Sequence, residues 1–155
     1  NAGHPPPLWF RAEHGRWEFM THDSPSVTGP DHRADLGIAN LPLGIIEPTS
    51  YHQFAAPLAR GDIVVFYTDA LIEAADARGR QMGQQGLLEL AATLSTTDPY
   101  RLGPSFMGAV RDYRGGGPSD DDATLLVLHH NAADPPSLPM GERIKVWGRM
   151  LGLLA

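Results

Sequence analysis

The longest uninterrupted apolar run of β-formers is Ile63 to Tyr67, and its β-branched and aromatic residues predict a strand buried on both faces. Ala123 to His130, rich in Leu and Val, predicts a second buried strand. Upstream, Leu8 to Ala12 and Trp17 to Met20 flank the polar loop Glu13-His14-Gly15-Arg16, the pattern of a β-hairpin. Tyr51 to Leu58 alternates and carries Pro57 near its end, which predicts an edge strand or a strand terminus. Leu41 to Ile45 is apolar but broken by Pro42 and Gly44 and predicts a turn, as does Arg60-Gly61-Asp62. Residues 21–35 have no apolar period and predict an irregular surface loop.

Between the two long strands the period changes from two to 3.6. Leu87, Leu88, Leu90, Ala91 and Leu94 line one side of a helix over Gln84 to Leu94. Asp98 followed by Pro99 marks the start of a second helix, which runs to about Tyr113 with a break allowed at Gly103-Pro104. Ala77 to Arg80 predicts a loop or short hairpin between strand and helix. These elements form one domain over residues 1–130, followed by a Pro-rich linker, 131–140, and an amphipathic helix, 141–155. In that last helix Ile144, Trp147, Leu151 and Leu154 oppose Arg143, Lys145 and Arg149. Packing on its own or a neighbouring domain, or binding a partner or an anionic surface, both fit this pattern.

Composition narrows the function classes. The 155 residues contain no cysteine, which excludes disulfides, thiolate metal sites and cysteine nucleophiles and fits a reducing cytoplasm. A formal charge of -6 without a Lys/Arg cluster argues against nucleic acid as partner. No stretch approaches the roughly 20 apolar residues of a membrane span and the N-terminus lacks the basic and apolar regions of a signal peptide, so a soluble chain is expected, with the cytoplasm as the location that fits the missing cysteines.

The candidate chemistry lies at the strand ends. Asp69 closes the first long strand and Asp121 precedes the second. If the strands are antiparallel neighbours, the two carboxylates meet at one edge of the sheet; a parallel pairing would put them at opposite edges. Oxygen donors without cysteine favour hard cations such as Mg²⁺ or Mn²⁺, although two aspartates fall short of a tight cage. Residues of this kind also serve simply as turn formers, Asp69 as a cap and Asp120 to Asp122 as a solvated turn.

Several segments together resemble the metal-dependent serine/threonine phosphatases of the type 2C superfamily, in the bacterial SpoIIE/RsbU-like branch. Asn1-Ala2-Gly3-His4-Pro5-Pro6 is similar to that branch's NAGHPP turn, and Pro42-Leu43-Gly44 to its PLG element. Gly61-Asp62, Tyr67-Thr68-Asp69 and Glu73-Ala74 follow its GD, YTDG and EA elements, and Asp121-Asp122-Ala123-Thr124 its DDxT motif. The resemblance implies an α+β fold, an α-β-β-α sandwich of antiparallel β-sheets flanked by helices, which contains the strand pairing the two aspartates require. It implies hydrolysis of phosphoserine or phosphothreonine with two Mn²⁺ or Mg²⁺ ions, Asp69 and Asp121 as metal ligands, and Asp122 and Thr124 as hydrogen-bonding residues around them. His4 has no ligand role to transfer and is expected to stabilise its turn.

Two departures qualify what is implied. The family's first metal-binding Asp-Gly motif lies upstream of the NAGHPP turn, so a larger domain is expected and this chain alone should hold fewer ions or none. The YTDG glycine is Ala70 here. If that position needs a positive φ, alanine costs about 1 kcal/mol; otherwise it is harmless. The implied substrate is a phosphorylated partner protein, such as an anti-sigma-factor antagonist, under control of an upstream sensor domain. An inactive protein-binding module and a truncated fragment are the alternatives.

Overall fold

The computed structural model describes residues 2–21, 23, 24, 27, 41–45, 51, 53–117, 121–133 and 139–150, with only the backbone of 144, 146 and 148–150. The N-terminal apolar segments form the expected hairpin, β1 (Leu8–Arg11) and β2 (Arg16–Phe19). The two long apolar runs form β3 (Ile63–Tyr67) and β4 (Leu125–His129). All four strands make one antiparallel sheet in the order β2-β1-β3-β4. The register of β3 against β4 runs from Ile63 opposite His129 to Tyr67 opposite Leu125.

The helices connecting β3 to β4 are α1 (Gly83–Thr93) and α2 (Pro99–Tyr113). Asp98 caps α2 by accepting a hydrogen bond from the Tyr100 backbone N–H at 3.1 Å. Contrary to the allowed break, α2 runs through Pro104. One backbone bond is lost there, but Leu102, Phe106 and Val110 are buried on the same side of the helix and hold it to the sheet.

Alternation along the strands decides where the core forms. Leu8, Trp17, Ile63, Val65 and Tyr67 point to the helical side and meet Leu71, Leu87, Ala91, Leu102 and Phe106 in one cluster. Each large side chain removed from water there contributes about 1.5–3 kcal/mol. Trp17 sits edge-on to Phe106, with ring centroids 6.0 Å apart and planes at 89°.

The other side of the sheet corrects the expectation of two fully buried strands. Phe66 is 36% exposed, Leu126 59% and Leu128 43%. The physical reason is position: β4 is the edge of the sheet, and the helices connecting β3 to β4 pack on the opposite side, where the core cluster forms. Among the described residues of Tyr51 to Leu58 no strand forms, and only Ala55 makes a single bridge. Pro57 has no N–H with which to extend a ladder.

Buried Asp62 organises the approach to β3. Its carboxylate accepts hydrogen bonds from the Trp9 indole at 3.1 Å, the Ala12 N–H at 2.9 Å and the Ala59 N–H at 3.0 Å. The Arg11 guanidinium stacks 4.2 Å from the Trp9 ring centre and lies 4.0 Å from the same carboxylate. Gly61, at φ +93°, makes the turn, in a conformation that side chains disfavour.

Most of the expected loop over 21–35, and residues 134–138 of the expected linker over 131–140, fall outside the described residues. Met140–Met150 is helical, with Trp147 65% exposed, while 151–155 of the expected helix lie outside the described residues. No described helix is long and apolar enough to cross a membrane.

Candidate metal centre

Antiparallel pairing of β3 and β4 has the consequence that the sequence left conditional. The chain leaves β3 at the edge where it enters β4, so Asp69 and Asp121 belong to the same edge of the sheet. The pairing continues one step past the strands, because the Thr68 N–H donates to the Thr124 carbonyl at 3.1 Å. The Thr68 hydroxyl then accepts from the Thr124 N–H at 3.0 Å and donates to the Asp122 carbonyl at 3.3 Å. One side chain therefore ties the segment before Asp69 to the segment after Asp121.

Each aspartate is set by its own local turn. Asp69 opens a short 3₁₀ helix, Asp69–Leu71, and its Oδ1 accepts from the Ala70 N–H at 3.0 Å. The Asp69 carbonyl also accepts from the N–H groups of Ile72 and Glu73, both at 2.9 Å. The Asp121 Oδ1 accepts from the Asp122 N–H at 2.8 Å. Asp122 and Thr124 contribute to the Thr68 bridge through backbone atoms rather than through their side chains.

Behind Asp69 the turn is anchored on three sides. The Arg114 guanidinium, just past α2, donates to the Ala70 carbonyl at 2.9 Å. At the start of α1 the Met82 and Gly83 N–H groups donate to the carbonyls of Ala74 and Ile72 at 2.8 and 2.7 Å. The Ala70 methyl is buried, and its backbone does not have a positive φ. No glycine is needed at this position, and the penalty foreseen for alanine does not arise.

The other motifs gather around the same strand. Gly3, at φ +85°, lies so close to Pro42 that an added Cβ would stand 2.5 Å from the proline Cγ, which joins the N-terminal turn to the Pro42-Leu43-Gly44 element. The Tyr67 hydroxyl donates to the Pro6 carbonyl at 2.9 Å, and burial pushes its pKa up to about 12. His4 keeps its Nδ1 3.0 Å from the Pro5 carbonyl, within its own turn. Asn1 and Asp120 lie outside the described residues.

As a metal site the arrangement is partial. Both candidate ligands are hard oxygen donors on one edge, suited to Mg²⁺ or Mn²⁺. Among the described residues, no group of three or more His, Asp or Glu side chains could hold an ion. Sequence reading missed the roles of Thr68 and Arg114. A threonine directly before the strand-end aspartate was the available signal for the first; nothing local foretells the second, since 44 residues separate Arg114 from Ala70.

Comparison with known proteins agrees with this geometry. No curated protein sequence matches the chain. The chain is 26% identical to the RsbU and RsbW domains of Rv1364c from Mycobacterium tuberculosis, covering 97% of itself and 38% of that structure, with a TM-score of 0.59. The PP2C phosphatase domain with a regulatory fragment of SpoIIE from Bacillus subtilis is 20% identical, over 82% of this chain and 32% of that one, with a TM-score of 0.55. A manganese-presoaked SpoIIE phosphatase domain is 17% identical, over 88% and 51%, with a TM-score of 0.54. This chain thus spans about a third to a half of the structures it matches. The family model for Stage II sporulation protein E matches residues 1–131, which takes in the hairpin, the whole sheet and both aspartates, and the chain accordingly belongs to the SpoIIE family, the SpoIIE/RsbU-like branch of the PP2C phosphatases.

Proposed function

We propose that this chain supplies part of the active site of a metal-dependent protein phosphatase that removes phosphate from phosphoserine or phosphothreonine on a partner protein. The observation that carries the reading is the β3–β4 register, locked by Thr68, which brings Asp69 and Asp121 to one edge. In this reading Asp69 and Asp121 would hold a Mn²⁺ or Mg²⁺ ion. When bound, such an ion lowers the pKa of a coordinated water and polarises the phosphoryl oxygens.

The chain's own residues do the orienting. Thr68 fixes the spacing of the two aspartate segments, Arg114 holds the Ala70 carbonyl, and the backbone N–H groups of Ala70 and Asp122 aim one oxygen of each carboxylate. The 155 residues contain no Asp-Gly dipeptide. In this reading the family's Asp-Gly motif would supply further ligands. An anti-sigma-factor antagonist as substrate, control by an upstream sensor and a cytoplasmic location belong to the same proposal.

The deciding experiment pairs Mn²⁺ titration calorimetry with hydrolysis of a phosphoserine protein by the full-length protein. Asp69→Asn and Asp121→Asn should each weaken Mn²⁺ binding by about tenfold or more and abolish turnover, since even indirect partners of a metal are worth 10–100-fold. Full activity in either variant would refute the assignment. Absence of both Mn²⁺ binding and turnover in the unmodified protein would favour the inactive binding module instead.

A further inference from the structure

Beside the aspartates lies a cleft of about 440 Å³ whose walls include Pro104, Met107, Arg111 and Arg114 along α2, and Ala123 from the segment leading into β4. Two independent links place it next to the candidate centre. Ala123 follows Asp121 and Asp122 in the chain, and the guanidinium of Arg114 touches the carbonyl of the residue after Asp69. Arg111 is exposed and has no ion-pair or hydrogen-bond partner for its side chain among the described residues. Its sequence neighbour Asp112 points elsewhere, because adjacent helical positions do not face each other. In a chain of formal charge -6, two guanidinium groups on one apolar-walled cleft are a local reversal of sign.

We propose that this cleft receives an acidic stretch of the partner polypeptide adjoining its phosphorylated residue, with Arg111 and Arg114 facing the carboxylates and Pro104 and Met107 flanking the chain. The assignment rests on the phosphatase reading for the position of the phosphorylated residue. Arg111 is the discriminating side chain, since Arg114 has one N–H committed to the Ala70 carbonyl. Guanidinium suits the task because its planar fork can donate two parallel hydrogen bonds to a carboxylate.

The test is fluorescence anisotropy of the full-length protein with two labelled phosphoserine peptides at low salt. One peptide is flanked by Asp and Glu, the other by Asn and Gln. The acidic peptide should bind about fivefold or more tightly, and Arg111→Gln should reduce that preference by about two- to fivefold, the range of an exposed ion pair. Arg111→Lys should restore part of it, and added salt should erode it. Equal binding of the two peptides or an unchanged preference in Arg111→Gln would overturn the proposal. A preference that persists in a protein unable to bind Mn²⁺ or turn over substrate would refute the phosphatase reading and leave the acidic-segment cleft standing. Mn²⁺-dependent hydrolysis without any preference would do the reverse.

Discussion

At the scale of single residues, side chains buried or bridging beneath the site do more than the sequence motifs advertise. Asp62 is fully buried and accepts three hydrogen bonds, two from in and just after β1 and one from the turn before β3. Asp62→Ala would strand the Trp9 indole and two backbone N–H groups, and a loss of about 3 kcal/mol or more is expected in urea unfolding. Tyr67 offers a pH test. Its pKa is raised from 10.0 to about 12, so the folded state holds the proton more tightly than the unfolded chain. The resulting stabilisation is complete below about pH 10 and is lost as pH rises toward 12. Tyr67→Phe should lose the bond to the Pro6 carbonyl, worth about 1 kcal/mol, and unfold with a shallower pH dependence over that window. An unchanged slope would remove the hydroxyl from the account.

At the scale of elements, strand order and helix contacts turn scattered motifs into one edge. The strands, both connecting helices and the cap at Asp98 were legible from periodicity and capping chemistry, because those signals are local. The break allowed at Gly103-Pro104 was not realised, since tertiary burial of Leu102 and Phe106 outweighs one missing backbone bond. The packing does not require glycine at position 103: a Cβ there would lie 3.7 Å from Leu125 and 3.9 Å from Val127, ordinary packing distances. Gly103→Ala should therefore stabilise α2 by about 0.5–1 kcal/mol, measured as a raised urea midpoint. Destabilisation would mean that α2 approaches β4 more closely than these distances indicate.

At the scale of the whole molecule, the sheet has a helical side, where its core is packed, and a second side with Phe66, Leu126 and Leu128 open to solvent. Contiguous apolar surface of this kind commonly marks an interaction face. The 155-residue chain is expected to self-associate at high concentration, and Leu126→Lys with Leu128→Lys should shift it toward monomer in sedimentation velocity while leaving its circular dichroism unchanged. A chain that is monomeric before substitution would show that other groups cover this side.

The sequence by itself determined the local elements, the hard-oxygen character of the candidate site and, through motif order, the family, since composition, periodicity and spacing are properties of short stretches. Only the tertiary structure decided that Asp69 and Asp121 share an edge, because antiparallel and parallel pairings of the same two strands have nearly the same local pattern. It also decided that Ala70 is unstrained, that Thr68 bridges the two aspartate segments, and that Arg114 reaches the turn from the end of α2. These depend on contacts between residues far apart in the chain, which a pattern with a range of a few residues does not encode.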